Sequence, residues 1–290
     1  MAASALIEYL VFGITISSLY ALVAIGFTLI FSIRGIANLA HGALLMAGGY
    51  SVFLLVSSGV PVTLALLITI PIGFLIAVVL YRGMVKPIEN QPLTAMMVTL
   101  LIAFLAEEFV RNFISDSTRT VPPIIEGVTA IAGTPITYNR ILAFVVSVVL
   151  VVGVWYFVTR TYTGQAILAV SIDEKGAASA GINIDRTNLL VWGIAGALAV
   201  VAGYFWGSLN TLAPGMGLDP LLSAFVIVVI GGLGSVSGSV LAAYIIGLLE
   251  TSAAFLIDPG AQGLFSFGVL ILVLLFRPQG LFGNRSLEFD

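Results

Sequence analysis

Leu189 to Leu218 and Leu221 to Leu249 contain no charged side chain, and neither does Leu142 to Val158. A helix crosses a hydrocarbon core about 30 Å thick with roughly 20 apolar residues, and several stretches of this chain meet that length. Composition agrees. The 290 residues are 60% hydrophobic and 9% charged, against about 25% charged in a soluble domain, so the chain could not cover a water-facing surface. It reads as an all-α, polytopic helical membrane protein.

Crossings are expected near 9–31, 41–57, 62–81, 92–113, 141–159, 188–207, 219–236, 238–256 and 262–276, about nine in all, with eight or ten if one segment is re-entrant or another splits. Residues 1–290 are read as one transmembrane domain. The sequence Gly231-Gly-Leu-Gly-Ser-Val-Ser-Gly238 is too glycine-rich for ordinary helix. It fits either a tight surface turn or a break inside the membrane shielded by a neighbouring helix. Met1 to Tyr9 holds Glu8 and no Lys or Arg, so it lacks the basic start of a cleavable signal peptide and the first run is read as a retained span. No obvious direct repeat occurs along the chain.

Lys and Arg concentrate in cytoplasmic loops of membrane proteins. With nine spans and the N-terminus outside, Arg34, Arg82, Lys86, Arg160, Lys175, Arg186, Arg277 and Arg285 lie inside and only Arg111, Arg119 and Arg140 outside. The external loop Ile114 to Tyr138 carries Pro122, Pro123 and Pro135. The internal loop, 160–187, differs in kind: Gln165 to Ala180 favours helix and has no proline, and Gly181 supplies a left-handed helix stop. The expected feature is a short small-residue helix beneath the membrane. It is far too small for a nucleotide-binding domain, and no G-x-x-x-x-G-K-[ST] loop occurs.

The absence of cysteine removes disulfides, thiolate metal sites and cysteine nucleophiles. The single histidine removes a histidine metal cluster, so no metal or cofactor is expected. A net charge of -3 gives no sign of a nucleic-acid partner. Asn38 and His41, three apart and followed by Gly42, would share a helix face. They either line a path at a broken helix or satisfy backbone freed at a tight turn. Glu107, Glu108 and Arg111 have the spacing of an interfacial ion pair. Asp219 is the acidic group closest to the central spans Leu189 to Leu249 and lies at a boundary. The glycines and alanines of spans six to eight allow close helix packing. The cytoplasmic helix, with Asp173, Glu174, Ala177, Ala178 and Gly181, has little side-chain bulk and suits docking in a groove of another protein.

Four ordered blocks carry a resemblance over nearly the whole chain. They are Ser18-Leu-Tyr-Ala-Leu-Val-Ala-Ile-Gly-Phe-Thr-Leu-Ile-Phe31 with Gly35-Ile-Ala-Asn-Leu-Ala-His-Gly42, then Asp173 to Arg186, then Val229 to Gly238, and last Leu275-Phe-Arg-Pro-Gln-Gly-Leu-Phe-Gly283. The chain resembles the Liv-type branched-chain amino-acid permeases of ABC importers, specifically the smaller of their two permease subunits. The resemblance implies a second permease subunit around a central path, two ATP-binding cassette ATPases bound from the cytoplasm, and an extracytoplasmic substrate-binding protein that delivers the amino acid.

It also implies a coupling helix on the cytoplasmic loop, for which Asp173, Glu174, Ala177, Ala178 and Gly181 are the candidates. Asn38, His41, Gly42, Gly231, Gly232, Gly234, Ser235 and Gly238 are the candidates for the translocation path or a helix break. Leu168 stands where the family more often has arginine, and Ile172 and Ala180 are this chain's own choices. Permeases of the family for urea or short amides share most of these blocks, and an ion-coupled secondary transporter is the alternative of another class. A sugar-type ABC permease is the nearest rival within the group; the Asn38-to-Gly42 turn and the Arg277-to-Leu281 ending argue against it. The implied enzyme activity belongs to separate ATPases, not to this chain.

Overall fold

The structure, a computed structural model, describes residues 3–131 and 133–282. Arg285 of the charge argument and Gly283 of the last block lie outside the described residues. Eleven α-helices run α1 Ala3–Arg34, α2 His41–Ser57, α3 Val62–Leu80, α4 Pro92–Phe113, α5 Tyr138–Arg160, α6 Tyr162–Ile172, α7 Glu174–Ser179, α8 Ile184–Leu209, α9 Leu218–Gly231, α10 Val236–Leu256 and α11 Gln262–Phe276. Six of them (α1, α3, α4, α5, α8 and α10) are long and apolar enough to cross a membrane, and α2, α6, α9 and α11 are shorter apolar helices. The nine expected spans coincide with these helices, α6 excepted. The loop Ile114 to Tyr138 holds a feature that its prolines hid: an antiparallel pair of strands, β1 Val128–Ile131 and β2 Thr134–Thr137, with Val128 opposite Thr137.

Helices α1 and α8 are buried along most of their length, whereas α4 and α5 bury little. A helix that is apolar all round belongs at the centre of a bundle. On α4, Leu93, Met97, Leu101 and Leu105 form an exposed row at four-residue spacing, the outward apolar face of a helix that has lipid for solvent.

The packing repeats itself with exchange of halves. Helix α1 packs on α10 as α8 packs on α3, and α2 packs on α8 as α9 packs on α1. Likewise α2 meets α3 and α4, while α9 meets α10 and α11. Because α1 and α8 run antiparallel in this scheme, the two halves are inverted repeats, an arrangement that transporters build around a central junction. Small residues set the crossings. Gly48 of α2 abuts Val200 of α8, Gly203 of α8 abuts the Leu45 carbonyl of α2, and Gly247 of α10 abuts Ser17 of α1. Without Cβ atoms, backbones approach to contact, which drives association where hydrophobicity cannot.

Each half contains a non-helical entry. After Arg34 the chain turns at Gly35 and returns inward as residues 35–40, so that α2 begins deep in the bundle. His41 Nε2 lies 3.2 Å from the Val23 carbonyl oxygen, about 16 Å up α1 from Arg34 at 1.5 Å per residue. In the second half, residues 210–217 follow α8 and lead to α9, and Gly217 packs on Gly42 backbone to backbone. The starts of α2 and α9 therefore meet inside the protein.

Two local expectations change. The segment 160–187 does not hold one helix over Gln165–Ala180. It holds α6 and α7, parted at Asp173, whose backbone is extended and whose Oδ1 accepts a hydrogen bond from Lys175 N at 3.0 Å. An aspartate that can cap the following turn favours ending one helix and starting another. Asn38 does not share a helix face with His41, because it precedes α2. Its Oδ1 accepts from Ala40 N (3.1 Å) and its carbonyl from His41 N (3.1 Å), while Leu39 N donates to Thr99 Oγ1 of α4 (3.1 Å). An unwound segment in the bundle must have its backbone paired, and that need recruits these side chains.

Candidate functional site

The candidates of the 160–187 loop occupy one end of the bundle. Asp173 caps α7, Glu174 opens it, and Ala177 is buried where α7 packs on α8. Ala178 and Gly181 are on the surface. Gly181 has φ +86°, and the chain closes there with Ile182 N donating to the Ala177 carbonyl at 3.0 Å, which requires a residue without Cβ strain. Glu174 is joined to the core by a polar chain. Arg34 donates to Glu174 Oε2 (2.6 Å) and to Glu89 Oε1 (3.1 Å), Tyr81 Oη donates to Glu89 Oε2 (2.7 Å), and Asn188 Nδ2 donates to Tyr81 Oη (2.9 Å). The chain thus links α7, the end of α1, the turn after α3 and the start of α8. Beside it, at the two ends of the short apolar helix α6, Tyr162 and Ile172 are 86% and 85% exposed. Two large apolar side chains left uncovered by this chain suit contact with another molecule.

The path or break candidates fall in two separate places. Asn38, His41 and Gly42 lie at the inner junction; Asn38 and His41 are almost wholly buried, and His41 stacks edge-on to Phe27. Gly231, Gly232, Gly234, Ser235 and Gly238 form the turn between α9 and α10, next to Ser32 near the end of α1. There Gly231 and Gly238 touch through their backbones, Ser235 Oγ accepts from Gly238 N (3.1 Å), and Leu281 N donates to the Ile230 carbonyl (2.7 Å). The unwound segment of the second half is 210–217, which sequence reasoning did not single out; Pro214, Gly215 and Gly217 are its signal.

Between α2, α4 and the start of α9 runs a narrow, mostly apolar cleft with about 50 Å³ of free space, walled by Met46, Leu100, Phe104 and Leu221 and carrying Glu107. The ion pair expected of Glu107, Glu108 and Arg111 is present, with Arg111 Nη2 2.8 Å from Glu107 Oε1 and Nε 3.5 Å from Glu108 Oε1.

A second carboxylate was missed by sequence. Glu250 stands one residue beyond the uncharged run and is buried within α10, accepting from Tyr20 Oη (2.6 Å), Ser266 Oγ (2.6 Å) and Ser223 Oγ (3.1 Å). Its partners come from α1, α11 and α9. Among the described residues no group of His, Asp and Glu is placed to hold a metal ion.

Inverted halves, helices interrupted at a common inner junction, and a polar chain leading out to a short surface helix define a polytopic membrane transport protein. The chain belongs to the family described as branched-chain amino acid transport system / permease component, which matches residues 9–274. It is 31% identical to the high-affinity branched-chain amino acid transport system permease protein BraD of Pseudomonas aeruginosa, covering 97% of each chain. It is 28% identical to the permease protein LivH of Escherichia coli K12, covering 95% of each. The ribose import permease protein RbsC of Haemophilus influenzae is 26% identical over 93% of this chain and 84% of that one. No solved structure matched.

Proposed function

We propose that this chain is one permease subunit of an ATP-driven importer of leucine, isoleucine and valine in the plasma membrane of a prokaryote. It forms the translocation path with a second permease subunit and has its N-terminus outside and its C-terminus in the cytoplasm. Two ATP-binding cassette ATPases perform the hydrolysis, and an extracytoplasmic binding protein delivers the amino acid. Family membership with BraD and LivH among the relatives supports the substrate class.

The observation that carries the coupling half is the unbroken polar chain from Glu174 through Arg34, Glu89 and Tyr81 to Asn188. It gives a force applied at α7 a stiff route into the end of α1, the turn after α3 and the start of α8. In this reading residues 160–187 are the coupling loop, and Asp173, Glu174 and Ala177 fasten α7 to the bundle. Ala178 and Gly181, with Ile172 and Tyr162, face the ATPase. A surface of small and apolar side chains suits a groove better than a charged rim does.

The test is reconstitution of the chain with its second permease, ATPases and binding protein in liposomes. Leucine, isoleucine or valine should raise ATP hydrolysis and be taken up, and the chain alone should move none of them. Uptake of urea or a short amide in their place would overturn the substrate. Gradient-driven uptake by the isolated chain would overturn the ATP-driven mechanism.

A further inference from the structure

The cleft beside α4 combines two features that seldom coincide. Its walls are apolar, from Met46 of α2, Leu100 and Phe104 of α4 and Leu221 of α9, yet the carboxylate of Glu107 lines it as well. Leu100 and Glu107 are seven residues apart, so the cleft follows α4 for about 10 Å. Its free space of about 50 Å³ holds roughly two water-sized groups of ~30 Å³ each. That is enough for the forked end of a short aliphatic side chain and too little for a whole amino acid.

Glu107 is not an ordinary surface partner of Arg111. Its side chain is 29% exposed against 60% for Glu108 one position on, and its carboxylate lies against Gly215 of the unwound segment 210–217. A Cβ at Gly215 would sit 2.9 Å from Glu107 Oε1, and the φ there is +83°. The left-handed φ reserves this position for glycine, and the carboxylate packs close against the Gly215 backbone. Arg111 stands one helical turn further out and has two other carboxylates within reach, Glu108 at 3.5 Å and Asp116 at 3.9 Å. It therefore stays compensated when Glu107 turns to another cation.

Glu107 lines the apolar slot, and the Arg111 guanidinium, 2.8 Å from its carboxylate, stands one helical turn beyond the lining; the two together are the charge complement of a zwitterion with an aliphatic tail. We propose that this cleft is the substrate half-site of the permease and that its ligand is an α-amino acid with a short branched side chain. The ammonium takes Glu107, the carboxylate takes Arg111, and the side chain enters between Phe104, Leu100, Met46 and Leu221. Desolvating an ammonium is costly without a paired charge, and the opened ion pair supplies both partners with no change in net charge. The proposal deepens the importer reading and rests on it. Its own content is the location of the ligand and the demand for both charged ends.

The chain contains no cysteine, so single cysteines report this site cleanly in the complete importer. With Ala103→Cys, on the cleft face of α4, and Ala43→Cys, on the facing wall of α2, we expect loaded binding protein plus leucine to slow reaction with a small maleimide at least roughly fivefold, about 1 kcal/mol of protection. Leucinamide and 4-methylpentanoate, each lacking one charge, should protect less than about twofold on the same scale. Adding Glu107→Gln to either cysteine variant should remove the protection by leucine. Thr118→Cys, in the exposed loop beyond α4 and outside the cleft, should react at one rate throughout.

Unchanged reaction at Ala103→Cys and Ala43→Cys in a complex that still imports leucine overturns the site and leaves the importer reading standing. Equal protection at Thr118→Cys overturns it as well, since the change is then global closure and not occupancy. Failure of both cleft cysteines to react in the resting complex shows a cleft closed to the outside, which equally overturns the site. A complex that imports no branched-chain amino acid removes the importer reading, and this proposal with it.

Discussion

Glu250 is a single acidic residue on a membrane-embedded helix, and its surroundings determine what it costs. An ionisable group in hydrocarbon is expensive unless paired or hydrogen-bonded, and here three hydroxyls from three other helices converge on one carboxylate. The group therefore works as a knot tying α10 to α1, α9 and α11. Replacing it by leucine leaves three hydroxyls without their acceptor, two of them (Tyr20 and Ser266) buried, at about 1 kcal/mol each. Glu250→Leu should thus lower stability by about 2–3 kcal/mol in a denaturation series in detergent. Glu250→Gln keeps an acceptor oxygen for the hydroxyls and should lose less than half of that. A Leu variant as stable as the parent would show that the hydroxyls find other partners.

At the scale of elements, α7 illustrates how a short helix gains rigidity from its neighbours. Six residues are too few to hold a helix by propensity. Asp173 caps one end, Gly181 closes the other, Ala177 packs inward, and Glu174 is tied to Arg34. Arg34 is 18% exposed and holds two carboxylates, a setting in which charge-assisted hydrogen bonds keep about 1.5–3 kcal/mol. In the assembled importer, Arg34→Ala should lower the ratio of leucine transported to ATP hydrolysed by at least roughly tenfold, since about 1.4 kcal/mol is a factor of ten. Complex assembly, judged by co-purification of the ATPases, should persist through Ile172, Ala178 and Tyr162. An unchanged ratio would take the polar chain out of the coupling route.

For the whole molecule the decisive property is the inverted pairing of its halves, which brings the starts of α2 and α9 together at Gly42 and Gly217. The proposed orientation sets the β1–β2 hairpin outside and α7 inside. A cysteine placed at Glu126, in the outer loop, should react with an impermeant thiol reagent on intact cells, and one at Ser179, in α7, only after permeabilisation. The reverse pattern would invert the topology and remove α7 from the ATPase side.

Much of this organisation can be read from residues alone, and the limits have physical causes. The nine apolar helices at the expected spans follow from run length, because a charge or an unpaired backbone group in hydrocarbon is penalised within a window of about 20 residues wherever the rest of the chain lies. Gly181 as a helix stop is local for the same reason, since its φ depends on its own missing Cβ. The split at Asp173 escaped because helix propensity and capping compete there, and the docking of Ala177 against α8 settles the outcome. Glu250 escaped because its cost depends on Tyr20, far away in sequence. Likewise nothing in residues 35–40 or 210–217 taken singly says that they enter the bundle and meet. The sequence by itself determined that this chain spans a membrane, where its helices lie and which family it resembles. Only the tertiary structure decided how deep α2 and α9 begin, which carboxylate is caged by hydroxyls and which faces an open cleft, because each depends on groups that the fold brings together from opposite halves of the chain.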